Sequence, residues 1–493
     1  MSRLNGAEVA KHNTRESCWL VIHSKVYDVT SFLEEHPGGP IILLKQGGAD
    51  ATIEFDKTHP IEILSDLPDG SCLGNMDPET AGALNQPSSA QSKPVSTSPG
   101  KIPHVSLCVR ADDFEAPAKA VLPHKAWIYA SSHANSGLSF KTNLEDWSRI
   151  SFRPRVLRGI ADVDTRRSIH GHVAQFPFYI SPMGSLGVAN PEAEPAVVRG
   201  AVRKGLHAVI STASTKNAEQ IMQSLVDEQA RFGNTSPSRL FFQFYCPSDK
   251  TRARSLLQRV KKAGYKGLWW TVDAPVLGKR LADRRLQAEE TIAAGFKEEV
   301  RTSSSENTFA PSSGGRAVPG TLDPALSWDY LRWIREEWDG PIVLKGIQCA
   351  EDAKMALEHG CNGILLSNHG GRQLHNAPSS LATLLEIRTY CPEVLDKLEV
   401  FVDGGLRDGA DVLKAICLGA TAVGVGRPFL YALAAYGTDG VERCADILAE
   451  ELVTAMKLLG ITSLDQARPE MVNTSRLQNE MWRMETAPVR SRL

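Results

Sequence analysis

The sequence predicts a multidomain protein, in which a small α+β domain precedes a larger α/β domain built as a closed barrel of eight strands and eight helices. The chain has 493 residues, more than one hydrophobic core usually serves. Strand-like runs fill the first 77 residues, and a stretch rich in proline and serine follows them. Beyond that stretch, eight apolar runs alternate with helical segments, a pattern typical of a parallel α/β fold.

The first domain, residues 1–77, presents two histidines on loops. Residues 19–22 and 26–30 predict a hairpin, and the sequence His36-Pro37-Gly38-Gly39 predicts a tight loop that exposes His36. His59 follows 23 residues later, and the apolar residues between the two could line a slot for a flat hydrophobic ligand. Two histidines facing each other across such a slot could hold haem iron from both sides and favour electron transfer. The alternative is that both are chance histidines on surface loops.

Residues 78–104 are predicted to form a flexible linker. Pro78, Pro87, Pro94 and Pro99 stand among serines and other small residues, a composition that cannot build a core. The barrel domain is expected to span residues 105–475, with residues 476–493 as a C-terminal tail.

Eight apolar runs are the predicted strands of a (β/α)8, or TIM, barrel. They are residues 178–181, 208–212, 240–245, 267–273, 342–346, 363–367, 399–404 and 422–427. The active site of such a barrel lies at the C-terminal ends of its strands. Polar residues or glycines stand at that end of every run, namely Ser181, Ser211, Gln243, Tyr245, Thr271, Asp273, Lys345, Ser367, His369, Asp403, Gly404, Gly405, Gly426 and Arg427. Ordinary polar caps between strand and loop are the alternative explanation.

The loops after the seventh and eighth predicted strands fit a phosphate site. Gly404-Gly405 and Gly424-Val425-Gly426-Arg427 stand where such barrels commonly bind phosphate. We therefore expect a cofactor that carries a phosphate group.

The loop after the sixth predicted strand carries the most specific chemistry. His369 can take and give a proton near neutral pH, which makes it the candidate general base. Arg372, three residues later, offers a planar fork that binds a carboxylate through two hydrogen bonds. A polar turn after a core strand is the alternative.

Two further segments have open interpretations. Residues 281–326 follow the fourth strand and include serine-rich stretches, so they are either an active-site lid or a disordered insertion. Six basic residues between Lys250 and Lys262 recur at helical spacing and predict a solvated helix face.

Composition excludes several classes of partner. A net charge of -2 and a pI near 6.7 give no electrostatic signal for nucleic acid.

The nine cysteines, without a CxxC pair, fit a reducing compartment. No apolar run has the length of a membrane span, and the N-terminus lacks the apolar core of a secretory signal. Ser491-Arg492-Leu493 resembles a peroxisomal address, with the mitochondrial intermembrane space or the cytoplasm as alternatives.

Residues 4–77 resemble the cytochrome b5-like haem domains. The resemblance is carried by Val26-Tyr27-Asp28-Val29-Thr30, Phe32-Leu33, His36-Pro37-Gly38-Gly39 and His59. It implies haem b, with His36 and His59 as the ligands of the iron.

With both domains considered, residues 4 to about 475 resemble the flavocytochrome b2 type of L-lactate dehydrogenase, in which a haem domain is fused to an FMN-dependent barrel. The motifs are Ser367-Asn368-His369-Gly370-Gly371-Arg372-Gln373, Thr271-Val272-Asp273-Ala274-Pro275, Lys345-Gly346, Val402-Asp403-Gly404-Gly405 and Gly426-Arg427-Pro428. The resemblance implies oxidation of a lactate-like L-2-hydroxy acid to the 2-oxo acid. Electrons would then pass through haem b to an acceptor such as cytochrome c.

The same resemblance implies a role for each site residue. His369 would remove a proton from the substrate hydroxyl or α-carbon, and Asp273 would stabilise the imidazolium. Tyr129 and Arg372 would hold the substrate carboxylate, Tyr245 would stabilise the reacting oxygen, and Arg280 would add positive charge. Lys345 would stabilise the reduced flavin. FMN would be held by Ser211, Gln243, Thr271, Lys345, Ser367, Asp403, Gly404, Gly405, Arg407, Gly426 and Arg427. A homotetramer is expected.

Two departures from the family pattern affect the substrate pocket. Pro182-Met183-Gly184 stands where Pro-Thr-Ala or Ala-Thr-Ala is usual, and Ala213 occupies a position often filled by a bulkier side chain. Both changes predict a pocket larger than lactate needs. Two rival functions therefore stay open: a 2-hydroxy acid oxidase that uses oxygen on a larger substrate, and a haem electron-transfer module on an inactive barrel.

Overall fold

Residues 3–85 form an α+β domain around a four-stranded sheet in a computed structural model of the chain, which describes residues 3–36, 38–85, 102–293 and 323–482. The strands are β1 (Arg3–Leu4), β2 (Trp19–Ile22), β3 (Lys25–Asp28) and β4 (Cys72–Met76), in the order β1-β4-β3-β2. The helices are α1 (Gly6–Val9), α2 (Pro40–Lys45) and α3 (Thr52–Asp56), with 3₁₀ turns at Ile61–Asp66 and Pro78–Ala83. The predicted hairpin is present as the antiparallel pair β2 and β3, joined by a turn in which His23 and Ser24 both have positive φ.

The predicted linker begins with a segment that still packs on this domain. Asn85 donates a side-chain hydrogen bond to the carbonyl of Ala10, at 2.7 Å. Residues 86–101 lie outside the described part of the chain. At the C-terminal end of the predicted linker, the carbonyl of Pro103 accepts a hydrogen bond from the Tyr436 hydroxyl of the barrel domain, at 2.9 Å.

The second domain is a closed parallel barrel, as the sequence predicts. It is preceded by α4 (Glu115–Val121), α5 (His124–Ser131), α6 (Leu138–Ser148), β5 (Ser151–Phe152), β6 (Arg167–Ile169) and β7 (His172–Ala174). The barrel strands are β8 (Phe178–Ile180), β9 (Ala208–Ser211), β10 (Leu240–Phe244), β11 (Leu268–Thr271), β12 (Ile342–Ile347), β13 (Gly363–Leu366), β14 (Glu399–Asp403) and β15 (Ala422–Val425). Every predicted strand is confirmed to within two residues at each end.

Helices cover the outside of the barrel and connect its strands. They are α7 (Ala193–Lys204), α8 (Ala218–Arg231), α9 (Lys250–Ala263), α10 (Leu281–Ala293), α11 (Tyr330–Glu337), α12 (Ala350–Glu358), α13 (Ser380–Tyr390), α14 (Glu393–Lys397), α15 (Gly409–Cys417) and α16 (Arg427–Leu459), the last with a kink at Gly437. The chain continues through β16 (Val472–Asn473), which pairs with β5, and α17 (Ser475–Gln478). Leu477 of α17 is buried against the barrel domain's own core.

One inward-facing side chain from each barrel strand builds the interior. These are Tyr179, Val209, Phe241, Trp269, Val343, Leu365, Phe401 and Ala422, all nearly inaccessible, and Ile169 of β6 packs against them. Burial of each large side chain stabilises the fold by roughly 1.5–3 kcal/mol. The barrel centre is therefore a packed apolar core.

Two sequence interpretations change once the fold is known. The interval after β11 begins with helix α10 (Leu281–Ala293), while residues 294–322 lie outside the described part. The basic run does lie on one helix, α9, and two of its residues, Arg252 and Arg259, are only partly solvated because they also contact acidic groups of the small domain. Charge spacing shows which residues share a helix face but not what that face meets.

All nine cysteines are free thiols. Within the described ranges, no helix combines the length and apolar character required to cross a membrane.

Candidate active site

Eight residues at the C-terminal ends of the barrel strands form the floor of one site. Each stands two positions after the inward-facing apolar residue of its strand, and because side chains alternate faces along a strand, each also faces the barrel interior. They are Ser181, Ser211, Gln243, Thr271, Lys345, Ser367, Asp403 and Gly424, all of them buried. The strand period therefore places a polar floor directly above the apolar core.

Hydrogen bonds between neighbouring strands fix the first part of this floor. The Ser211 hydroxyl donates to Oε1 of Gln243 at 3.0 Å. Nε2 of Gln243 donates to the hydroxyl of Thr271 at 2.8 Å. The chain of bonds sets the orientation of the Gln243 amide across three strands.

The loop that carries His369 is held in a strained backbone conformation. His369, Gly370 and Gly371 have φ of 60°, 64° and 76°. A left-handed backbone costs a residue with a side chain roughly 1–2 kcal/mol. The side-chain amides of Asn368 and Asn143 offset that cost by pairing through two hydrogen bonds of 2.7 and 2.8 Å, and Asn368 Oδ1 also accepts from the Gly371 N–H. The loop therefore presents His369 to the site in one defined position.

His369 is oriented by a buried carboxylate. Its Nδ1 lies 2.9 and 3.1 Å from the two oxygens of Asp273, whose side chain is fully buried. A carboxylate only accepts hydrogen bonds, so Nδ1 carries the hydrogen and Nε2 keeps its lone pair. Burial lowers the pKa of His369 despite the negative charge of Asp273, so the imidazole is neutral near pH 7 and can accept a proton.

Lys345 adds a second positive group beside Asp273. Its Nζ lies 3.5 Å from Asp273 Oδ2 and 3.4 Å from His369 Nδ1, so both donors are directed at one carboxylate. Burial alone would raise the pKa of Asp273, but the attraction of protonated His369 and of Lys345, with the hydrogen bonds that both donate, outweighs burial and holds that pKa below its ordinary value. Gly346 permits this approach, because its φ is 112° and a β-carbon there would overlap the Asp273 side chain.

Two tyrosines contribute to the site: Tyr245 lies beside the His369 imidazole, and Tyr129 lies at the rim. The Tyr245 hydroxyl is 3.3 Å from Nε2 of His369. Burial and the charge of Asp273 raise the pKa of Tyr245, so its hydroxyl stays protonated and can donate a hydrogen bond. The Tyr129 hydroxyl donates to the carbonyl of Gly184 at 3.2 Å, and the Arg372 guanidinium lies 5.4 Å from the centre of the Tyr129 ring.

The arginines around this site repel one another. Arg372 donates to the carbonyls of Tyr129 and Ala130 at 2.7 and 2.8 Å. Burial and the neighbouring charge of Arg280 lower the pKa of Arg372. Burial and the charge of Arg372 lower the pKa of Arg427 to about 9. Clustered buried cations of this kind favour a bound anion, and a carboxylate and a phosphate both match the planar fork of arginine.

The predicted phosphate site, called the phosphate end below, combines an arginine side chain with the start of a helix. Arg427 opens helix α16 directly after Gly426, so one short stretch of chain supplies both a guanidinium and the free N–H groups of a helix start. Its guanidinium donates to the carbonyls of Gly370 and Ser132 at 3.0 and 2.9 Å. Arg407 is directed elsewhere, since it forms an ion pair of 2.9 Å with Asp112.

Asp403 carries a buried oxygen atom that lacks a hydrogen-bond partner within the protein. The carboxyl group is buried, Oδ1 has no hydrogen-bond partner, and burial raises its pKa despite the nearby charge of Lys345. Buried polar atoms in proteins are nearly always paired. A cofactor hydroxyl would satisfy this oxygen, and together with the cationic phosphate end it fits FMN.

The two histidines of the small domain also face each other. The ring centroids of His36 and His59 are 6.1 Å apart, with an interplanar angle of 77°. Bonds from imidazole nitrogen to a metal are about 2 Å long, so this separation accommodates a single metal ion between the rings. Burial, together with the charge of His59, lowers the pKa of His36 to about 4, and burial lowers that of His59. Both are therefore neutral, as metal ligation requires, and Phe32 and Phe55 line the same slot.

Gly184 and Ala213 lie side by side next to Tyr129. A β-carbon placed on Gly184 would stand 3.1 Å from the Ala213 β-carbon and 3.4 Å from the Tyr129 hydroxyl. The two departures from the family pattern therefore fall on one wall of the site.

Two residues that orient the site were not assigned a role from sequence. Gln373 donates to the carbonyls of Asp273 and Val276, both at 2.9 Å, and so fixes the loop that bears the carboxylate. Its place at the end of the His369 motif was the available signal. Asn143 lies on α6, 225 residues before its partner Asn368, and no local pattern marks it.

Comparison with known proteins agrees with both domains. Residues 118–474 match the family model of FMN-dependent dehydrogenases, and residues 5–77 match that of cytochrome b5-like haem or steroid binding domains. The L-lactate dehydrogenase (cytochrome) of Saccharomyces cerevisiae is 36% identical over 490 residues, which cover 97% of this chain and 80% of the relative.

Two solved structures resemble the barrel domain. The flavin-binding domain of baker's yeast flavocytochrome b2 has a TM-score of 0.68 at 34% identity, covering 78% of this chain and 91% of that one. A mandelate oxidase has a TM-score of 0.62 at 35% identity, covering 74% and 98%. The chain therefore belongs to the FMN-dependent dehydrogenase family, with a cytochrome b5-like haem-binding domain on its N-terminal side.

Proposed function

We propose that this protein is an FMN-dependent L-2-hydroxy acid dehydrogenase of the cytochrome type, which oxidises a lactate-like acid and passes the electrons through haem b to an acceptor such as cytochrome c. The observation that carries the proposal is the His369 imidazole, with Nδ1 fixed by buried Asp273 and Nε2 free beside the Tyr245 hydroxyl. An inactive barrel would have no reason to retain this arrangement together with Lys345 and Arg372. We therefore set aside the electron-transfer module on an inactive barrel.

The substrate loses two electrons and two protons on becoming the 2-oxo acid. His369 Nε2 accepts one of these protons, from the hydroxyl or from the α-carbon, and the second would be taken up with the two electrons when FMN is reduced. Asp273 stabilises the resulting imidazolium, because its carboxylate already holds Nδ1 and needs no reorganisation. The Tyr245 hydroxyl, kept protonated by burial, donates a hydrogen bond to the substrate oxygen at the reacting carbon.

The substrate carboxylate binds at the cationic rim. Arg372 and Tyr129 are in contact with each other, and Arg280 adds charge close to both Arg372 and His369. A carboxylate placed here would relieve the repulsion between the two guanidinium groups. This orientation directs the 2-hydroxyl towards His369.

FMN would be held by the polar floor and by the phosphate end around Gly426 and Arg427. Asp403 and the Gln243 amide provide the acceptors and donors for its hydroxyl and ring atoms. When bound, FMN accepts the two electrons that leave the substrate. Lys345 stabilises the negative charge that this transfer brings into the site. Arg407 would have to leave Asp112 to contact the phosphate.

Haem b would be held between His36 and His59. Haem held by these two histidines would supply single-electron transfer rather than reaction with oxygen. Transfer to cytochrome c is the proposal this arrangement supports. The rival, direct reaction with oxygen on a larger substrate, is supported by the two small residues Gly184 and Ala213 on one wall of the site.

One spectroscopic experiment tests the proposal. The purified protein is scanned in the oxidised state and then mixed anaerobically with a panel of L-2-hydroxy acids. We expect both flavin and haem bands, and rapid bleaching of the flavin band by at least one acid, followed by haem reduction. A protein without flavin, or one that no acid bleaches, would contradict the dehydrogenase assignment. Electron consumption by oxygen rather than cytochrome c would favour the oxidase.

Assembly and compartment are further proposals. A homotetramer is proposed from the resemblance alone, and light scattering of the purified protein tests it. Peroxisomal import is proposed from Ser491-Arg492-Leu493, which lies outside the described residues. A fluorescent fusion that displays these three residues, compared with one that lacks them, tests the address.

A further inference from the structure

The small domain lies against the C-terminal mouth of the barrel, with contacts next to both of its histidines. The backbone carbonyl of Lys57, two residues before His59, packs so closely on Gly187 of the barrel that a β-carbon on Gly187 would overlap it. Gly39, three residues after His36, lies beside Gln287 of helix α10. The edge that carries the histidines is therefore the edge that meets the barrel.

The first charged contact joins Asp66 to Arg252 of α9. Asp66 Oδ1 accepts from Nη1 of Arg252 at 2.9 Å. Nη2 of the same guanidinium donates to the carbonyl of Ser65 at 3.3 Å. Arg252 thus binds both a side chain and the backbone of the short 3₁₀ turn Ile61–Asp66.

The second charged contact lies one turn earlier, at Glu62. Its Oε1 accepts from Nδ2 of Asn217 at 3.1 Å and lies 3.6 Å from Nη2 of Arg259. Arg259 is held in place by Glu219, to which it donates two hydrogen bonds of 2.8 and 2.9 Å. The 3₁₀ turn therefore presents two carboxylates to two arginines on one face of α9.

The charge of each domain agrees with these contacts. Residues 1–77 contain 12 Asp or Glu and six Lys or Arg, a formal charge of -6, whereas the whole chain has -2, which leaves +4 for the rest. Opposite net charges favour and orient the approach of two protein surfaces.

Helix α5 connects the docked edge to the substrate site. Lys125 lies close enough to His36 for its charge to act on that imidazole, and it pairs with Glu290 of α10 at 3.3 Å. Tyr129 follows Lys125 by four residues, one helical turn, so both side chains lie on the same face of α5. One helical turn therefore separates Lys125, whose charge acts on His36, from Tyr129 at the rim of the candidate active site.

We propose that Glu62 and Asp66 of the small domain, with Arg252, Arg259 and Asn217 of the barrel, form a docking clamp that holds the haem edge in position to receive electrons from the barrel. The clamp controls the transfer from barrel to haem and leaves substrate oxidation unchanged. It rests on the proposed function for its role, and its geometry can be tested independently. Each ion pair is partly exposed, so salt should weaken the clamp, as the Debye length falls from about 30 Å at 0.01 M to about 3 Å at 1 M.

The test compares Arg252→Glu, Asp66→Arg and the double variant that exchanges the two charges. Lys262→Glu on the same helix is the control, because it changes the charge of the barrel equally at an exposed position. Stopped-flow measurement separates flavin bleaching from haem reduction, and small-angle X-ray scattering of the full chain measures domain separation without any substrate.

We expect each single variant to bleach its flavin at the wild-type rate but to reduce its haem at least about tenfold more slowly than wild type, since charge complementarity governs such contacts. Each single variant should also show a larger radius of gyration. The exchanged pair should recover both haem reduction and the compact shape, and Lys262→Glu should resemble wild type. Wild-type haem reduction and scattering in both single variants would overturn the clamp, as would an exchanged pair no better than its single variants. Scattering tests the clamp even if no acid bleaches the flavin, the separate result that would refute the proposed function.

Discussion

Replacing Gly184 with alanine is expected to narrow the pocket on the side where a large substrate would extend. The added β-carbon would lie 3.1 Å from the Ala213 β-carbon, 3.3 Å from the Ala213 carbonyl oxygen and 3.4 Å from the Tyr129 hydroxyl. The first two separations are tighter than ordinary van der Waals contact, so the methyl group can be accommodated only if its neighbours move by a few tenths of an ångström. Packed sites respond to a volume change of one methyl group.

The magnitude follows from the size of that group. One methylene in an apolar pocket changes specificity by about 1–3 kcal/mol, or roughly 10- to 200-fold in kcat/KM. We expect Gly184→Ala to lower kcat/KM for mandelate relative to lactate by about tenfold or more. Because the Gly184 carbonyl accepts from the Tyr129 hydroxyl, a small backbone shift would affect both acids alike, and the ratio is therefore the informative quantity. Reoxidation of the reduced enzyme by oxygen should also slow, because the added methyl group narrows the approach along the wall formed by Gly184 and Ala213.

The assay measures kcat/KM for both acids and the oxygen rate of the reduced enzyme in wild type and variant. Gly82→Ala is the matched control, since a β-carbon there would meet nothing within 4 Å. Equal losses on both acids with an unchanged oxygen rate would refute the reasoning and leave Gly184 as a turn residue.

Three further outcomes follow from the described geometry. His369→Gln should retain FMN and lose flavin reduction by substrate, because it removes the proton acceptor, whereas His359→Gln at an exposed position should behave as wild type; rapid anaerobic bleaching in His369→Gln would contradict the base assignment. His36→Ala should bleach its flavin normally and fail to reduce cytochrome c, with His23→Ala as the control, and full cytochrome c turnover by a protein without haem would disprove the relay. Burial lowers the pKa of His369 from 6.5, so the imidazole stays neutral to a lower pH than a free histidine. We therefore expect kcat/KM to fall on acidification with a midpoint below pH 6.5. A midpoint above pH 6.5 for the free enzyme would contradict the burial argument.

The barrel could be predicted closely because two simple periods determine it. Buried parallel strands appear as continuous apolar runs, and helices separate them at regular intervals. The period of two along each strand then leads from Trp269 to Thr271, and from Phe401 to Asp403, so a polar floor follows from an apolar core. Strand ends were therefore a sound guide to which residues meet at the site.

The contacts that give the site its geometry were less accessible from sequence. Asn143 and Asn368 pair across 225 residues, and Gln373 bonds to backbone carbonyls whose position no side-chain pattern specifies. The glycine at position 346 is likewise explained only by the three-dimensional structure, because the Asp273 side chain occupies the space that a β-carbon on Gly346 would need. Such contacts depend on how strands are placed beside each other, which local composition does not contain.

The basic face of α9 shows where a local rule stops being sufficient. Arginines at helical spacing share a face, and the sequence correctly places Arg252 and Arg259 on one helix. Water is the default neighbour of such a face, yet the partners here are carboxylates nearly 200 residues earlier, on the short turn that follows His59. The relevant signal was the unequal charge of the two domains, because a domain of -6 and a remainder of +4 in one chain attract each other wherever the linker allows contact. Charge summed over each domain therefore predicts this contact better than charge spacing along one helix.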